Sequence, residues 1–222
     1  MIKTAIGIPI VDHIPGEVFP SLARVIGEVS RIGDVVLVSP LNQFPHDRPR
    51  NLIVEKALDS SADYLFFIDS DMMIPSGAFQ ELRKGIEEGD PRVFAVSGYY
   101  LQRGYPFAST WTRLKGWEIL RVEPPKSDPD RFYPIDACGM GCCLIDLQRA
   151  RKIPLPWFRS LEVSGQTAGE DSYFCSLVKQ NGGVILGATR VSCGHLFTRT
   201  FITPENALSL RREHLVNKEI TL

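Results

Sequence analysis

Short apolar segments alternate with segments of helical periodicity through residues 1–100 of this chain. The apolar segments are Lys3–Ile8, Asp34–Ser39, Tyr64–Ile68 and Val93–Ser97. Apolar residues recur at helical spacing over Glu17–Ile32, Asn51–Ser60 and Pro75–Gly89. Continuous apolar strands separated by amphipathic helices are typical of a parallel sheet with helices on both faces. We therefore predict an α/β fold.

Length and composition fit one domain of an ordinary globular protein. The chain has 222 residues, of which 44% are hydrophobic and 23% charged, and its net charge is −1. This balance gives no global sign of a nucleic-acid partner or an anionic membrane surface. No apolar run approaches the roughly 20 residues of a membrane-spanning helix. We predict no membrane span.

The cysteines do not suggest a disulfide framework. They are odd in number, and two are adjacent: Cys138, Cys142, Cys143, Cys175 and Cys193. We interpret them as small buried side chains in a reducing compartment, and we predict a cytoplasmic location. A zinc site built from four of these positions, Cys138, Cys142, Cys193 and His195, matches no common zinc spacing and is disfavoured.

The third apolar segment ends on two carboxylates, Asp69 and Asp71, with only Ser70 between them. Two carboxylates this close repel each other unless a cation or water reaches both. The loops Pro9–Asp12 and Pro40–Arg50 follow the first two strands in the same way. Because ligands of open α/β sheets bind at the carboxyl ends of the strands, we predict a polar crevice there.

The second half of the chain has a different character. Residues 99–133 are rich in aromatic and basic side chains, with a hairpin predicted around Lys115-Gly116 and a loop at "PPKSDPD". The stretch 99–126 is either a packed hairpin or a platform that stacks on an acceptor. A glycine-rich strand "CGMGCCLID", a helix over Ala168–Gln180 and two short strands, "GVILG" and "RVSCGHLF", follow.

Four stretches in this order resemble the GT-A fold of nucleotide-sugar-dependent glycosyltransferases, of the family 2 type. They are "RNLIVEKALDSSADYLFFIDSDM", "CGMGCCLID", "GEDSYFCSLVKQNG" and "CGHL", and the resemblance covers residues 1–197. It implies a mostly parallel sheet with helices on both faces and a smaller mixed sheet on the acceptor side. It implies one domain, 1–222, with a nucleotide-binding half (1–100), an acceptor and catalytic half (101–200) and a helical tail (201–222).

The resemblance also implies a metal-assisted donor site. Asp71 and His195 correspond to ligands of Mn²⁺ or Mg²⁺, and Asp69 binds the ribose or reaches the metal through water. A divalent ion neutralises a diphosphate leaving group, and imidazole suits Mn²⁺ better than Mg²⁺. The positions implied to contact a UDP- or GDP-linked sugar are Pro9, Ile10, Arg50, Asp69, Ser70, Gly139 and Met140.

Catalysis requires that an acceptor hydroxyl lose its proton. By resemblance, Asp171 is the base of an inverting enzyme, or it orients the acceptor of a retaining one; Glu170 and Asp136 are further candidate acids. The segment "VVLVSPLNQF" lacks the acid that many inverting relatives carry after the second strand, so the donor base stays open. The acceptor is also open, and a modified nucleic acid is among the candidates.

Each feature also has a purely structural interpretation. Asp69 and Asp71 could cap the helix near Pro75, and Glu170 and Asp171 could favour the dipole of their own helix. His195 could be a hydrogen-bonded core residue. Glycines in a strand, such as Gly139 and Gly141 here, can mark a bulge. Two rival functions remain: a phosphohydrolase of the haloacid-dehalogenase type, which places Asp-x-Asp after its first strand, and a non-catalytic nucleotide- or sugar-binding module.

Overall fold

The computed structural model describes residues 1–41, 45–115, 118–124, 132–163, 166–197 and 200–212. The helices are α1 (Phe19–Ser30), α2 (Asp47–Asp59), α3 (Ala78–Glu87), α4 (Leu147–Ala150) and α5 (Glu170–Gln180). The strands up to the middle of the chain are β1 (Ile2–Gly7), β2 (Gly33–Val38), β3 (Tyr64–Ile68), β4 (Met72–Met73), β5 (Val93–Tyr99), β6 (Thr112–Lys115) and β7 (Glu118–Arg121). The later strands are β8 (Phe132–Ile135), β9 (Cys142–Asp146), β10 (Leu161–Val163), β11 (Gln166–Ala168), β12 (Val184–Ser192), β13 (Gly194–Phe197) and β14 (Thr200–Ile202).

A seven-stranded sheet in the order β2-β1-β3-β9-β5-β12-β8 forms the centre of the protein. The pairs β1–β2, β1–β3 and β5–β12 are parallel, whereas β9 runs antiparallel to both β3 and β5, and β8 runs antiparallel to β12. The carboxyl ends of β1, β2, β3, β5 and β12 therefore share one edge of the sheet. The prediction of a mostly parallel α/β fold is confirmed.

Helices cover both faces of this sheet, as predicted. The alternate residues Phe66 and Phe67 of β3 point to opposite faces and belong to different hydrophobic clusters. Phe66 packs in a cluster with residues of α1 and α3, and Phe67 packs in a cluster with residues of α2 and α5. No helix of the described ranges is long and apolar enough to cross a membrane.

Smaller antiparallel units flank the central sheet. The predicted hairpin is present as the pair β6–β7, in which Thr112 faces Arg121, although Gly116 lies outside the described ranges. Strands β4, β13 and β14 form a separate three-stranded sheet. A smaller second sheet was expected from the resemblance, but both pairings of this one are antiparallel and not mixed. The predicted helical tail begins with β14, its residues 207–212 are helical, and residues 213–222 are outside the described ranges, as are residues 125–130 of the predicted loop.

Helix α2 begins four residues earlier than the sequence predicted, at Asp47 instead of Asn51. Pro49 lies in the first turn of this helix, where backbone N–H groups have no helical partner and proline is tolerated. As a consequence Arg50 is a helical residue that faces the sheet, with 6% of its surface exposed, and it is not part of a solvated loop.

We predict that Gly187→Ala in β12 destabilises the fold by about 1–3 kcal/mol, the usual result of overfilling a core. A Cβ atom at Gly187 would lie 2.7 Å from the ring of Trp111, which is fully buried. Gly27→Ala in α1 is the matched control, because nothing lies within 4 Å of its Cβ position. That change should stabilise the helix by about 0.5–1 kcal/mol. Urea unfolding measures both, and equal effects of the two changes would contradict the packing described here.

Candidate active site

The carboxyl end of β3 delivers the two aspartates of the Asp-x-Asp sequence. A tight turn follows β3, in which the Met72 amide donates to the Asp69 carbonyl at 3.1 Å, and the chain then enters β4. Strand β4 pairs with β13 so that Met72 faces His195. The Leu196 amide donates to the Asp71 carbonyl at 2.9 Å. The small sheet thus brings a histidine from late in the chain to Asp71.

The side chains of Asp71 and His195 face each other. His195 Nε2 lies 3.4 Å from Asp71 Oδ2, and both side chains are largely buried. His195 Nδ1 lies 2.8 Å from the Leu101 carbonyl oxygen. Since a carbonyl can only accept, Nδ1 carries the hydrogen, and the lone pair of a neutral imidazole is left on Nε2. A lone pair facing a carboxylate favours a cation between them, either a proton or a metal ion.

Arg103 also contacts Asp71. Its Nη1 lies 2.9 Å from the same Oδ2 atom, and 58% of the Arg103 side chain is exposed. Burial acts to raise the pKa of Asp71, but the contacts with His195 and Arg103 outweigh it and hold that pKa below its ordinary value. Asp71 is therefore an anion, whose charge is favoured by the Arg103 guanidinium and by His195 when Nε2 carries a proton.

Arg50 is the centre of a second cluster of charges. Its Nη1 and Nη2 atoms donate to the two oxygens of Asp69, at 3.0 Å and 3.3 Å. Its Nε atom donates to Glu170 at 3.2 Å and lies 3.2 Å from Asp171 Oδ1. Burial acts to lower the pKa of Arg50, and the surrounding carboxylates, Asp171 first, raise it well above the ordinary value. One buried guanidinium thus joins α2, β3 and α5.

Aromatic rings enclose the Arg50 guanidinium. Its central carbon lies 5.6 Å from the centre of the Phe67 ring and 5.9 Å from that of Phe158, within the range of cation–π attraction. Asn51, the next residue of α2, donates to the Phe158 carbonyl at 2.8 Å and accepts from the Phe158 amide at 3.0 Å. These contacts hold the position of Arg50 and exclude water from one side of it.

Asp171 differs electrostatically from the other carboxylates of the site. Its Oδ2 accepts from the Met140 amide at 3.1 Å. Its Oδ1 is buried and accepts no hydrogen bond, because the nearby Nε–H of Arg50 points to Glu170. Burial raises the pKa of Asp171 to about 7; Arg50 opposes this shift, and Glu170 and Asp69 reinforce it. Asp171 is therefore the carboxylate here that takes up and releases a proton near neutral pH.

Tyr100 connects the two clusters. Its hydroxyl oxygen accepts from the Gly141 amide at 2.9 Å, and its ring contacts His195 edge-on with centroids 5.6 Å apart. A Cβ atom at Gly139 would lie 2.1 Å from the Tyr100 hydroxyl, and one at Gly141 would lie 2.9 Å from it. Both glycines are thus required for the close approach of Tyr100. This packing explains the two glycines in addition to the predicted bulge.

Of the remaining predicted site residues, Pro9, Ile10 and Ser70 follow strands at the site edge of the sheet, whereas Asp136 lies elsewhere. Pro9 and Ile10 follow β1 at the same edge of the sheet, where the Ile10 amide donates to the Pro40 carbonyl at 3.0 Å, and Ser70 lies in the turn after β3. Asp136 is not brought to the clusters. It pairs with Lys179 in the last turn of α5, whereas Glu170 and Asp171 begin that helix.

The helix-cap interpretation of Asp69 and Asp71 is wrong. Helix α3 begins at Ala78, its N-cap residue is Gly77, and no side chain caps it. The dipole interpretation of Glu170 and Asp171 describes part of their environment, since both lie in the first turn of α5, but it omits their contacts with Arg50 and Met140. Tyr100 and Arg103 were predicted only as members of the aromatic and basic stretch 99–126, and neither was predicted to contact Asp71, His195 or the glycine-rich segment.

The donor atoms present suit an open metal site. Within the described ranges, no group of three or more His, Cys, Asp or Glu side chains is arranged to hold an ion. Asp71 and His195 supply one carboxylate oxygen and one imidazole nitrogen, while Arg50 occupies both oxygens of Asp69. Mg²⁺ sites commonly combine one or two protein ligands with substrate phosphates and water.

All five cysteines are free thiols and buried.

The aromatic and basic stretch divides between two parts of the protein. Tyr100 and Arg103 lie at the site. Trp111 is fully buried, and its ring contacts Tyr99 at a centroid distance of 5.0 Å. The following hairpin is attached near Asp136, which accepts from the Leu114 amide at 2.6 Å. The packed interpretation therefore describes Trp111, whereas Tyr100 and Arg103 at the start of the stretch border the two clusters.

Comparison with known proteins identifies the fold. No family model and no curated protein matches the chain. Among solved structures, A197 from STIV superposes with a TM-score of 0.63 and 21% identity over 92% of this chain and 91% of that chain. GalNAc-T7, in a structure with UDP, GalNAc and Mn²⁺, superposes with a TM-score of 0.59 and 12% identity over 88% of this chain and 44% of that chain. At such identities the likeness establishes a shared GT-A-like fold.

We predict that Arg50→Met lowers the free energy of unfolding by about 3–5 kcal/mol at pH 7.5, because it leaves buried carboxylates without their cation. These carboxylates would then have raised pKa values in the folded state, so lowering the pH to 5.5 should restore part of the loss. Arg92→Met is the control, since Arg92 pairs with Asp90 at the surface. Urea unfolding at both pH values measures the effect. A cost no larger than that of the control would mean that Arg50 is not the centre of the cluster.

Proposed function

We propose that the protein is a metal-dependent glycosyltransferase that moves a sugar from a nucleoside-diphosphate sugar to an acceptor hydroxyl. The observation that carries this proposal is the meeting, at one edge of a GT-A-like sheet, of the Asp71–His195 pair with a carboxylate, Asp171, whose pKa is raised to about 7. The likeness of the fold to GalNAc-T7, whose structure contains UDP, GalNAc and Mn²⁺, supports it.

Asp71 and His195 would hold the divalent ion. When bound, Mn²⁺ or Mg²⁺ supplies positive charge to a diphosphate leaving group. His195 is oriented for this role, because the Leu101 carbonyl fixes the hydrogen on Nδ1 and directs Nε2 toward Asp71. The donor is UDP- or GDP-linked, and Ser70, Pro9, Ile10, Gly139 and Met140 are the proposed contacts around it.

Asp171 is the proposed base. The ideal pKa of a general base lies near the working pH, which fits the value of about 7. The Met140 amide holds Oδ2, and Oδ1 is buried beside Arg50 without a hydrogen bond. The side chain as a whole is 25% exposed, so the carboxyl group would turn toward the acceptor hydroxyl to take its proton. Glu170 is engaged with Arg50 and would act by positioning, whereas Asp136, which follows β8, pairs with Lys179 at the opposite end of α5 from Asp171.

The rival functions receive less support from the geometry. A phosphohydrolase of the haloacid-dehalogenase type needs a nucleophilic aspartate, whereas both oxygens of Asp69 accept from Arg50. A non-catalytic binding module gives no reason for a carboxylate with a strongly raised pKa within a cluster of charged residues, which is more typical of catalytic sites. The acceptor, a modified nucleic acid among the candidates, and the cytoplasmic location stay predictions.

We predict that Asp71→Asn removes most Mn²⁺-dependent binding of UDP or GDP, because a neutral amide does not replace the charge of the carboxylate. A thermal-shift titration with each nucleotide, with and without Mn²⁺, measures this, since ligands of the native state raise apparent stability by RT ln(1 + [L]/Kd). The same titration of the wild-type protein tests the proposed function itself. Unchanged Mn²⁺ dependence in the variant would contradict the proposed metal site.

We predict that Asp171→Asn keeps metal and nucleotide affinity near wild type but lowers turnover by about 10²–10⁴-fold, the usual contribution of a positioned base. For the wild type, kcat/KM should rise with pH through about 7, because the base acts when unprotonated. Release of nucleoside diphosphate from UDP- and GDP-sugars measures turnover.

Asp136→Asn is the matched control for this change. It also neutralises a candidate carboxylate, one that pairs with Lys179 at the other end of α5. It should leave turnover nearly unchanged. Equal losses in the two variants, or a fall in nucleotide affinity in Asp171→Asn that matches its fall in turnover, would rule out the role of Asp171 as base.

A further inference from the structure

Residues 101–109 form a turn, here called the site turn, that contacts the Asp71–His195 pair through the Leu101 carbonyl and the Arg103 side chain. The site turn is closed by a β-bridge between Leu101 and Ser109 and by a hydrogen bond from the Gln102 amide to the Ala108 carbonyl at 2.8 Å. Phe107 anchors it, because its side chain is 1% exposed and contacts the Phe197 ring. The backbone of the site turn is thus fixed, while the Arg103 side chain extends from it.

The two groups act on the same pair in different ways. The Leu101 carbonyl accepts from His195 Nδ1 at 2.8 Å and so keeps Nε2 available. The Arg103 guanidinium, at 2.9 Å, occupies Oδ2 of Asp71, the oxygen that lies nearest to His195 Nε2. An ion bound between Asp71 and His195 would need that oxygen, and two cations at such a distance repel each other. Arg103 and a divalent ion therefore compete for Asp71.

The two arginines of the site differ in their freedom to move. The Arg50 side chain is 7% exposed and contacts three carboxylates, so its removal from them would leave buried charges unpaired. The Arg103 side chain is 58% exposed and, in the ion pairs of the described residues, has Asp71 as its one acidic partner. Asp71 is largely buried, but solvent reaches the pair from the Arg103 side and screens it, so the pair contributes roughly 1 kcal/mol, which binding of an ion can offset.

We propose that Arg103 is a displaceable counter-ion. It neutralises Asp71 while no metal ion is bound, and it leaves Asp71 when the ion binds. Its guanidinium group then contacts the negatively charged diphosphate of the donor. Guanidinium groups bind phosphate oxygens through paired, charge-assisted hydrogen bonds, and the length of the side chain permits this change without movement of the site turn. This inference rests on the proposed function and adds a donor-binding residue to it.

The test compares Arg103→Ala with the wild type in two separate titrations. Electron paramagnetic resonance of free Mn²⁺, without nucleotide, gives the affinity for the ion alone. We expect Arg103→Ala to bind Mn²⁺ about two- to fivefold more tightly, because the competing cation is gone. Calorimetry with UDP and with GDP at saturating Mn²⁺ should show about tenfold weaker nucleotide binding, because a charge-assisted contact is lost.

Arg92→Ala is the matched control, since it removes an exposed arginine from its partner Asp90 outside the site. It should change neither affinity. Arg103→Lys retains the positive charge and should recover part of the nucleotide affinity. Both alanine variants should unfold within about 2 °C of the wild type, as surface changes usually do.

The outcomes separate this inference from the proposed function. If wild type and Arg103→Ala bind Mn²⁺ equally, or the variant binds it more weakly, Arg103 does not compete for Asp71 and the inference is wrong, while the glycosyltransferase proposal stands. If Mn²⁺ binds more tightly but nucleotide affinity is unchanged, the contact with the diphosphate is wrong. If neither protein binds Mn²⁺ with or without nucleotide, the metal site fails, and both proposals fail with it.

Discussion

The buried guanidinium of Arg50 is the interaction on which the arrangement of the site depends. It is contributed by α2, and its carboxylate partners come from the end of β3 and the start of α5. Asp69, Glu170 and Asp171 would repel one another at such distances, and a fixed cation among them removes that repulsion. The two helices also pack on the same face of the sheet as Phe67, so the ion cluster and the apolar cluster fix the same elements.

Arg50 also gives the carboxylates of the site unequal properties. Asp69 is fully engaged by the guanidinium, whereas Asp171 shares it with Glu170 and keeps one oxygen without a hydrogen bond. Asp71 lies outside this cluster, beside His195 and Arg103, and its pKa is lowered where that of Asp171 is raised. Titratable groups whose environments separate their pKa values in this way are suited to different chemical roles. Under the proposed function, one carboxylate binds the ion and the other moves a proton.

The small sheet of β4, β13 and β14 has a positional role in this scheme. Its pairing of Met72 with His195 connects the turn after β3 with a segment from the end of the described chain. Tyr100 lies between this sheet and Asp171, with its ring against His195 and its hydroxyl against the Gly141 amide. The glycine-rich segment before β9 is thus shaped by a tyrosine, since a side chain at Gly139 would overlap the Tyr100 hydroxyl.

The roles proposed for Asp71, Asp171 and His195 came from the resemblance to GT-A glycosyltransferases, whereas residue patterns alone determined the α/β class and predicted the edge of the sheet at which the polar residues would meet. Strand and helix periodicity is local, and carboxyl ends of parallel strands share an edge in any such sheet, so these conclusions needed no strand order. Only the tertiary structure decided that β9 inserts antiparallel between β3 and β5, that Arg50 is buried, and that Asp136 pairs with Lys179 away from the site. It also brought Tyr100 and Arg103 to the site. Burial and ion pairing depend on contacts between residues far apart in the chain, and local sequence patterns carry no information about which of those contacts form.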